Sequence, residues 1–290
     1  SLLDYGTEEQ KRKYLPDVAG GKRLAAFALT EASAGSDVSA IKTTARRERG
    51  GYVLNGTKQF ITNGGEAEIY TIIALTSPER GSRGASAFLV EKGTPGFSFG
   101  KKEKKMGLRA SATRELIFRN CLTPEENLIG REGMGFIMTM RLLDRSRPGV
   151  GAQAVGLAQG ALEAAVDYAR QRVQFGHPII ALQAVQLILA NMAIEVEAAR
   201  SLVYAVARTI DSGAKDFTEE AAMAKVFASD MAMKVTTDAV QIFGGVGYMK
   251  DYPIEKMMRD AKITQIYEGS NEALRTAIAF ELRKRKARRE

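Results

Sequence analysis

At Pro124 the chain changes its pattern, and one kind of element cannot serve both sides of that point. From Leu24 to about Leu122, short apolar runs alternate with turn residues. Ala25-Ala26-Phe27-Ala28-Leu29, Tyr70 to Leu75, Ala87 to Val90 and Leu116-Ile117-Phe118 read as strands. Tyr52-Val53-Leu54 and Phe60-Ile61 flank Asn55-Gly56, which predicts a hairpin turn, and Glu48-Arg49-Gly50-Gly51 predicts another. No helical pattern intervenes, so a small antiparallel barrel or sandwich is expected. Beyond Pro124, apolar residues recur at spacings of three and four. Leu182, Val185, Leu189, Met192, Val196, Ala199 and Val203 are the clearest set. Helices are expected over about 133–172, 181–210, 218–243 and 270–285, joined by short connections into a four-helix bundle. The expected class is α+β, with a β domain over residues 21–123 and a helical domain over 124–290. A short polar helix opens before both, with Thr7 as its cap.

The 290 residues, 45% of them hydrophobic, suffice for a sizeable core. Mean hydropathy is −0.18 and no apolar run approaches the roughly 20 residues that span a bilayer. No membrane span is expected. Cys121 is the one cysteine, which excludes an intrachain disulfide and points to a reducing, intracellular compartment. His177 is the one histidine, which removes most metal sites; no metal is expected. The net charge of +8 resides in two runs, Lys101 to Lys105 and Arg283 to Glu290, and the remainder is neutral on balance. A nucleic-acid protein more often spreads its basic residues over a folded face, so a solvated loop and a solvated helix end are the simpler account. The chain starts at Ser1 without the blocks of a signal peptide, and upstream sequence is expected to be missing.

Two glycine-rich stretches, Gly130 to Gly135 and Gly244 to Gly247, stand outside any alternating β/α sequence. A dinucleotide fingerprint of the Rossmann kind is therefore rejected, and helix caps are preferred. Three other segments carry more. Thr30-Glu31-Ala32-Ser33-Ala34-Gly35-Ser36-Asp37 combines hydroxyls with small residues, so that backbone can approach a flat ligand. Phe60-Ile61-Thr62-Asn63 sets a ring and a hydroxyl two apart, on one face of a strand. Tyr267-Glu268-Gly269-Ser270 sets an acid before a helix start. Alone, Glu268 is a carboxylate favoured by a helix N-terminus.

Taken together and in this order, the three segments resemble the acyl-CoA dehydrogenase family of flavoproteins. Arg145-Ser146-Arg147-Pro148, Arg172-x-Gln174-Phe175-Gly176, Leu182-Gln183, Asp238 to Gly245 and Met258 to Lys262 are similar to further family motifs. The resemblance covers essentially the whole chain. It implies a middle β domain and a C-terminal four-helix domain. The family's N-terminal helical domain would be mostly missing, with residues 1–20 its remnant.

The resemblance also implies roles. FAD is the implied cofactor. Thr30 and Thr62 would bond its ring, Phe60 would lie at the ring edge where many relatives carry Trp, and Phe27, Leu29, Gly35 and Ile61 would line the same surface. Ser36 would touch both flavin and acyl thioester. Arg172 would meet the pyrophosphate, with Gln174, Phe175, Gln183, Gln241, Ile242, Gly244 and Gly245 completing the dinucleotide site across a subunit boundary. A homodimer or homotetramer follows. Ser270 and Glu272 would lie by the cofactor; Glu272 stands where Gln is frequent. Glu268 would be the base, Gly269 and Tyr267 would lie against the substrate, and Asp144 and Arg147 would bind the CoA arm. The base must be well placed and desolvated to take the weakly acidic α-proton of an acyl thioester. Some relatives carry the base on the segment near Asp144 to Arg147, which here offers no Glu. Ala32-Ser33 replaces a common Pro-Gly and is expected to loosen that loop.

The implied activity is α,β-dehydrogenation of an acyl-CoA to a trans-2-enoyl-CoA, with electrons passed to an electron-transfer flavoprotein. The implied location is the bacterial cytoplasm or a mitochondrial matrix. An acyl-CoA oxidase of the same fold and a non-catalytic nucleic-acid-binding relative remain as alternatives.

Overall fold

The computed structural model describes residues 1–287, and the end of the basic run, Arg288 to Glu290, lies outside the described residues. The chain divides into two compact units: Ser1–Lys105 with Arg109–Leu142, and Met106–Leu108 with Leu143 onward. The long strands end at Pro124, and only the two-residue strand Leu128–Ile129 follows before the first long helix. Packing changes later, because Met138 shares a core cluster with Ile69, Ile73 and Leu89.

The first unit opens with α1 (Leu2–Tyr5) and α2 (Glu8–Ala19). Thr7 and Gln10 form a capping box, each side chain bonded to the other's backbone N–H, as the sequence predicts for Thr7. The strands are β1 (Ala25–Ala28), β2 (Thr44–Glu48), β3 (Gly51–Thr62), β4 (Ile69–Leu75), β5 (Ala85–Glu91), β6 (Phe97–Phe99), β7 (Thr113–Pro124) and β8 (Leu128–Ile129). Their order is β6-β7-β3-β2-β4-β5-β8, with β1 paired to β4. The sheet is mixed, not purely antiparallel as expected, since β1 and β2 both run parallel to β4.

The strand β3 runs straight through Asn55-Gly56, which is an irregularity against β7 and not a hairpin turn. A Cβ on Gly56 would stand 2.5 Å from Thr43 Oγ1, so the glycine serves a close backbone approach. The reversal lies at Arg49-Gly50, between Glu48 and Gly51, where the second turn was expected. All seven residues of β4 are buried, which explains its unbroken apolar run.

The second unit contains most of α3 (Gly135–Gln171), then β9 (Val173–Gln174), β10 (His177–Pro178), α4 (Gln183–Asp211), α5 (Thr218–Phe243), α6 (Ile254–Lys262) and α7 (Asn271–Ala287). The four expected helices are α3, α4, α5 and α7. A fifth helix, α6, is not among the expected ones; it is short, and its N-cap residue, Pro253, makes no side-chain cap bond. In α4 the expected stripe is buried at Leu189, Met192, Val196, Ala199 and Val203. Facing positions of α3 carry Ala154, Ala158, Ala161, Ala165 and Ala169, all fully buried, so backbones approach closely. Helix α5 is the most buried helix, and Ala222 and Val226 on it pack against Leu274 of α7. Among the described residues no helix is long and apolar enough to cross a membrane.

Candidate active site

In the first unit, a buried ion pair joins two of the motifs. Lys58 of β3 is 0% exposed and Glu31 7%. Lys58 Nζ donates to Glu31 Oε1 at 2.7 Å and to the Leu29 carbonyl at 2.9 Å. Glu31 also accepts from the backbone N–H groups of Lys42 and Thr43, at 2.7 and 3.0 Å. Burial alone would raise the Glu31 carboxyl, but Lys58 and these bonds hold it below the usual range. Burial brings the Lys58 ammonium down to about 8 against the pull of Glu31. Thr30 lies between the two anchored residues, and its carbonyl accepts from Gln59 N–H at 2.8 Å. Glu31 lies within the Thr30 to Asp37 segment and Lys58 two residues before Phe60, and nothing in either sequence neighbourhood marks them as partners. Their tie spans 27 residues of sequence and is invisible to local pattern.

That tie fixes the exposed groups around it. Phe60 takes φ 57 at a register shift between Lys58 and Ile61, and the residue is 60% exposed. Bulges re-aim side chains in this way. Ile61 is buried while Phe60 and Thr62 face solvent, the alternation the sequence predicts. Glu31 and Ala34 exchange two backbone hydrogen bonds, 3.1 and 3.0 Å, so Ala32-Ser33 sits on a closed turn and not the loosened loop expected. Gly35 and Ser36 follow, both exposed. Phe27 is half-buried on β1 and Leu29 is buried.

In the second unit, Glu268 occupies a turn between a 3-10 segment (Ile263–Gln265) and α7. Its carboxylate accepts from Ser146 Oγ at 2.7 Å. The same hydroxyl also lies 3.1 Å from the Leu143 carbonyl. One hydroxyl proton cannot serve both, so rotation toward Leu143 frees the carboxylate. Asp144, two residues before Ser146, and Arg147, directly after it, form an ion pair, and Asp144 also accepts from Thr218 Oγ1 at 2.8 Å. Arg147 is buried, with its Nε unpartnered among the described residues. Burial lowers the Arg147 guanidinium and raises the Asp144 carboxyl from their usual ranges. Pro148 lies inside α3, so Arg147 is helical and not extended as residues before proline tend to be. Tyr267 hydrogen-bonds Gln153, and burial pushes its phenol up. Ser270 Oγ accepts from Ala273 N–H at 3.3 Å and caps α7, while Glu272 is exposed.

A third group lines the ends of α3 and α5. Tyr168 stacks on Phe243 with centroids 4.2 Å apart, and Tyr252 packs edge-on against both. Arg172 follows Tyr168 by one turn and Gly244 follows Phe243 directly, so this cluster holds the two motifs together. No sequence signal joined these rings. Arg172, Gln174, Gln183, Gln241, Gly244 and Gly245 are exposed, and Ile242 is buried beneath them. Phe175 and Gly176 form a two-residue turn between β9 and β10 with φ 52 and 79, and Phe175 is 87% exposed.

Each unit by itself offers groups of the kind a flavin dinucleotide requires. At Gly35 and Gly245 a Cβ would meet nothing of the chain within 4 Å, so bare backbone is open to a ligand. Hydroxyls and an aromatic ring stand in the first unit, and a guanidinium with amides in the second.

Residues 26–121 match the model of the acyl-CoA dehydrogenase middle domain, and residues 133–282 that of the acyl-CoA dehydrogenase C-terminal domain. An acyl-CoA dehydrogenase of Bacillus subtilis is 57% identical over 278 residues, 96% of this chain and 73% of that protein. An acryloyl-CoA reductase (NADH) of Anaerotignum propionicum is 54% identical over 287 residues, 98% of this chain and 73% of that protein. The structure of butyryl-CoA dehydrogenase from Megasphaera elsdenii superposes with a TM-score of 0.95 at 51% identity, covering 97% of this chain and 73% of that one. With both domain models matched in order and relatives more than half identical, the chain belongs to the acyl-CoA dehydrogenase family, whose members are flavoproteins.

Proposed function

We propose that the protein is an FAD-dependent acyl-CoA dehydrogenase in which Glu268 removes the α-proton of an acyl-CoA thioester. The observation that carries this reading is the Glu268 turn. A carboxylate is held half-buried on left-handed backbone, with a single hydroxyl proton on one oxygen. The proton passes to the Glu268 carboxylate as the α,β double bond forms. Bound FAD supplies the acceptor for the β-hydrogen, which leaves with its electron pair. The Glu268 backbone N–H stabilises the enolate-like thioester oxygen. Asp144 and Arg147 bind the CoA arm, and Gly269 and Tyr267 line the acyl group.

Thr30, Ser36, Phe60 and Thr62 hold the ring, with Phe27, Leu29, Gly35 and Ile61 behind them. Arg172 binds the pyrophosphate, because a planar guanidinium fits two oxygens at once. Gln174, Phe175, Gln183, Gln241, Ile242, Gly244, Gly245, Ser270 and Glu272 complete that surface, in part for a second copy of the chain. The exposed Phe175 ring supports a homodimer or homotetramer. The electrons pass on to an electron-transfer flavoprotein, and the protein works in the cytoplasm.

Glu268→Gln tests the assignment. It should retain yellow flavin and slow anaerobic bleaching by butyryl-CoA about 100- to 10,000-fold, the usual worth of a positioned base. Wild-type bleaching would remove Glu268 from the role. The reductase similarity favours a second reading, in which the enzyme runs toward the saturated thioester. Glu268 then returns the proton, and the same substitution slows both directions. Rapid reoxidation of the reduced, product-bound protein by air would turn the reading toward an oxidase.

A further inference from the structure

We propose that Lys225 is the positioning residue for the candidate base: from α5 it holds the carbonyl of Gly269 and the side chain of Asn271, and so fixes where the Glu268 carboxylate stands. This rests on the reading of Glu268 given above. Lys225 is 0% exposed. Its Nζ donates to the Gly269 carbonyl at 2.7 Å and to Asn271 Oδ1 at 2.8 Å.

The turn needs such a hold. Glu268 and Gly269 take φ 57 and 93 in succession. A side chain on left-handed backbone costs about 1–2 kcal/mol and persists only where its surroundings over-determine it. On one side of the turn, Tyr267 is bonded through its N–H to Ile263 at 3.0 Å and through its hydroxyl to Gln153. On the other, Asn271 is buried and donates to Ser229 Oγ at 2.9 Å and to Asp230 Oδ1 at 2.7 Å. Asp230 also accepts from Gln265, which precedes the turn, at 2.6 Å. Lys225 is the link that ties this polar cluster to the backbone directly after Glu268.

The choice of a lysine is informative. Among the described residues its hydrogen-bond partners are the neutral oxygens of Gly269 and Asn271, and a buried cation with no hydrogen-bonded carboxylate is costly. Packing alone would favour methionine at this position. Four charged groups act on the ammonium: Arg147 from α3, Asp230 from its own helix, Glu268 from the turn and Glu272 from α7. Burial, first, and Arg147 bring it down to about 8. Lys225 and Glu268 are thus coupled both through backbone and through charge.

The test uses FAD-loaded protein with butyryl-CoA, in four forms: wild type, Lys225→Met, Glu268→Gln and the double variant. For Lys225→Met we expect a limiting rate of anaerobic flavin reduction about a hundredfold lower, as for a displaced reacting group. The Kd for the thioester, read from the flavin spectrum, should change less than about threefold, since uniform binding is untouched. The double variant should fall no further than Glu268→Gln, as residues acting through one group are non-additive. In cofactor-free protein, amides of residues 266–272 should exchange faster in Lys225→Met. A wild-type limiting rate, or unchanged exchange, overturns the proposal. So does a double variant whose loss is the product of the two single losses. If Glu268→Gln itself reduces flavin normally, the base assignment fails, whatever Lys225→Met does. Should Lys225→Met fail to fold, Lys225→Gln, with a shorter N–H donor, is held to the same outcomes.

Discussion

Lys58 and Glu31 meet at 2.7 Å inside the first unit, and through them the strand bearing Phe60 and the loop bearing Thr30 and Ser36 become one piece. Removing one partner leaves the other charge buried and unpaired. Glu31→Gln should cost about 3–5 kcal/mol, read as a lower urea midpoint at unchanged slope. Replacing both, as Glu31→Leu with Lys58→Met, should recover much of that loss. An unchanged midpoint for Glu31→Gln would show that the pair is dispensable.

Arg172 is exposed at the end of α3 and positioned by the Tyr168–Phe243 stack. Arg172→Ala should raise the Kd for FAD about tenfold to a hundredfold, the loss of about 1.5–3 kcal/mol for charge-assisted bonds. Arg172→Lys should recover part of it, because an ammonium reaches one oxygen at a time. Release of fluorescent flavin on dilution measures the change. Equal retention by all three proteins would take Arg172 out of the pyrophosphate site.

Alkaline unfolding should report two buried phenols. Burial pushes both Tyr52 and Tyr70 up to about 12, with Glu132 adding to the effect at Tyr52 and Glu68 adding at Tyr70. An unfolded tyrosine loses its proton near pH 10. Between about 10 and 12 the native state therefore binds more protons than the unfolded state, and stability falls as pH rises. The contribution is fully present below pH 10. Tyr70→Phe should flatten the fall across that window while leaving the slope below pH 9 unaltered, as followed by circular dichroism.

The fold was legible wherever the pattern is local. The stripe from Leu189 to Val203, the Thr7 cap and the strand Tyr70 to Leu75 each follow from spacing or a few adjacent residues. Asn55-Gly56 misled because its glycine answers to Thr43, which approaches from outside its own strand. Parallel pairing of β1 with β4 joins segments more than forty residues apart, and no alternation predicts it. The site divided in the same way. Glu268, Phe60 and Arg172 lie in recognisable motifs. Lys58 and Lys225 act on partners 27 and 46 residues away, and in sequence each is a lysine among helix- or strand-forming neighbours.

Cys121 is wholly enclosed on β7 among Tyr52, Phe88 and Phe118, and burial pushes its thiol up. It is also the one sulfhydryl in the chain. A thiol so sheltered reacts only when the surrounding strands part, so the speed of its alkylation is a clock on how often the sheet opens. The protein thereby carries a built-in reporter for the unit that bears Thr30 and Phe60, one that needs no label and leaves the helices silent.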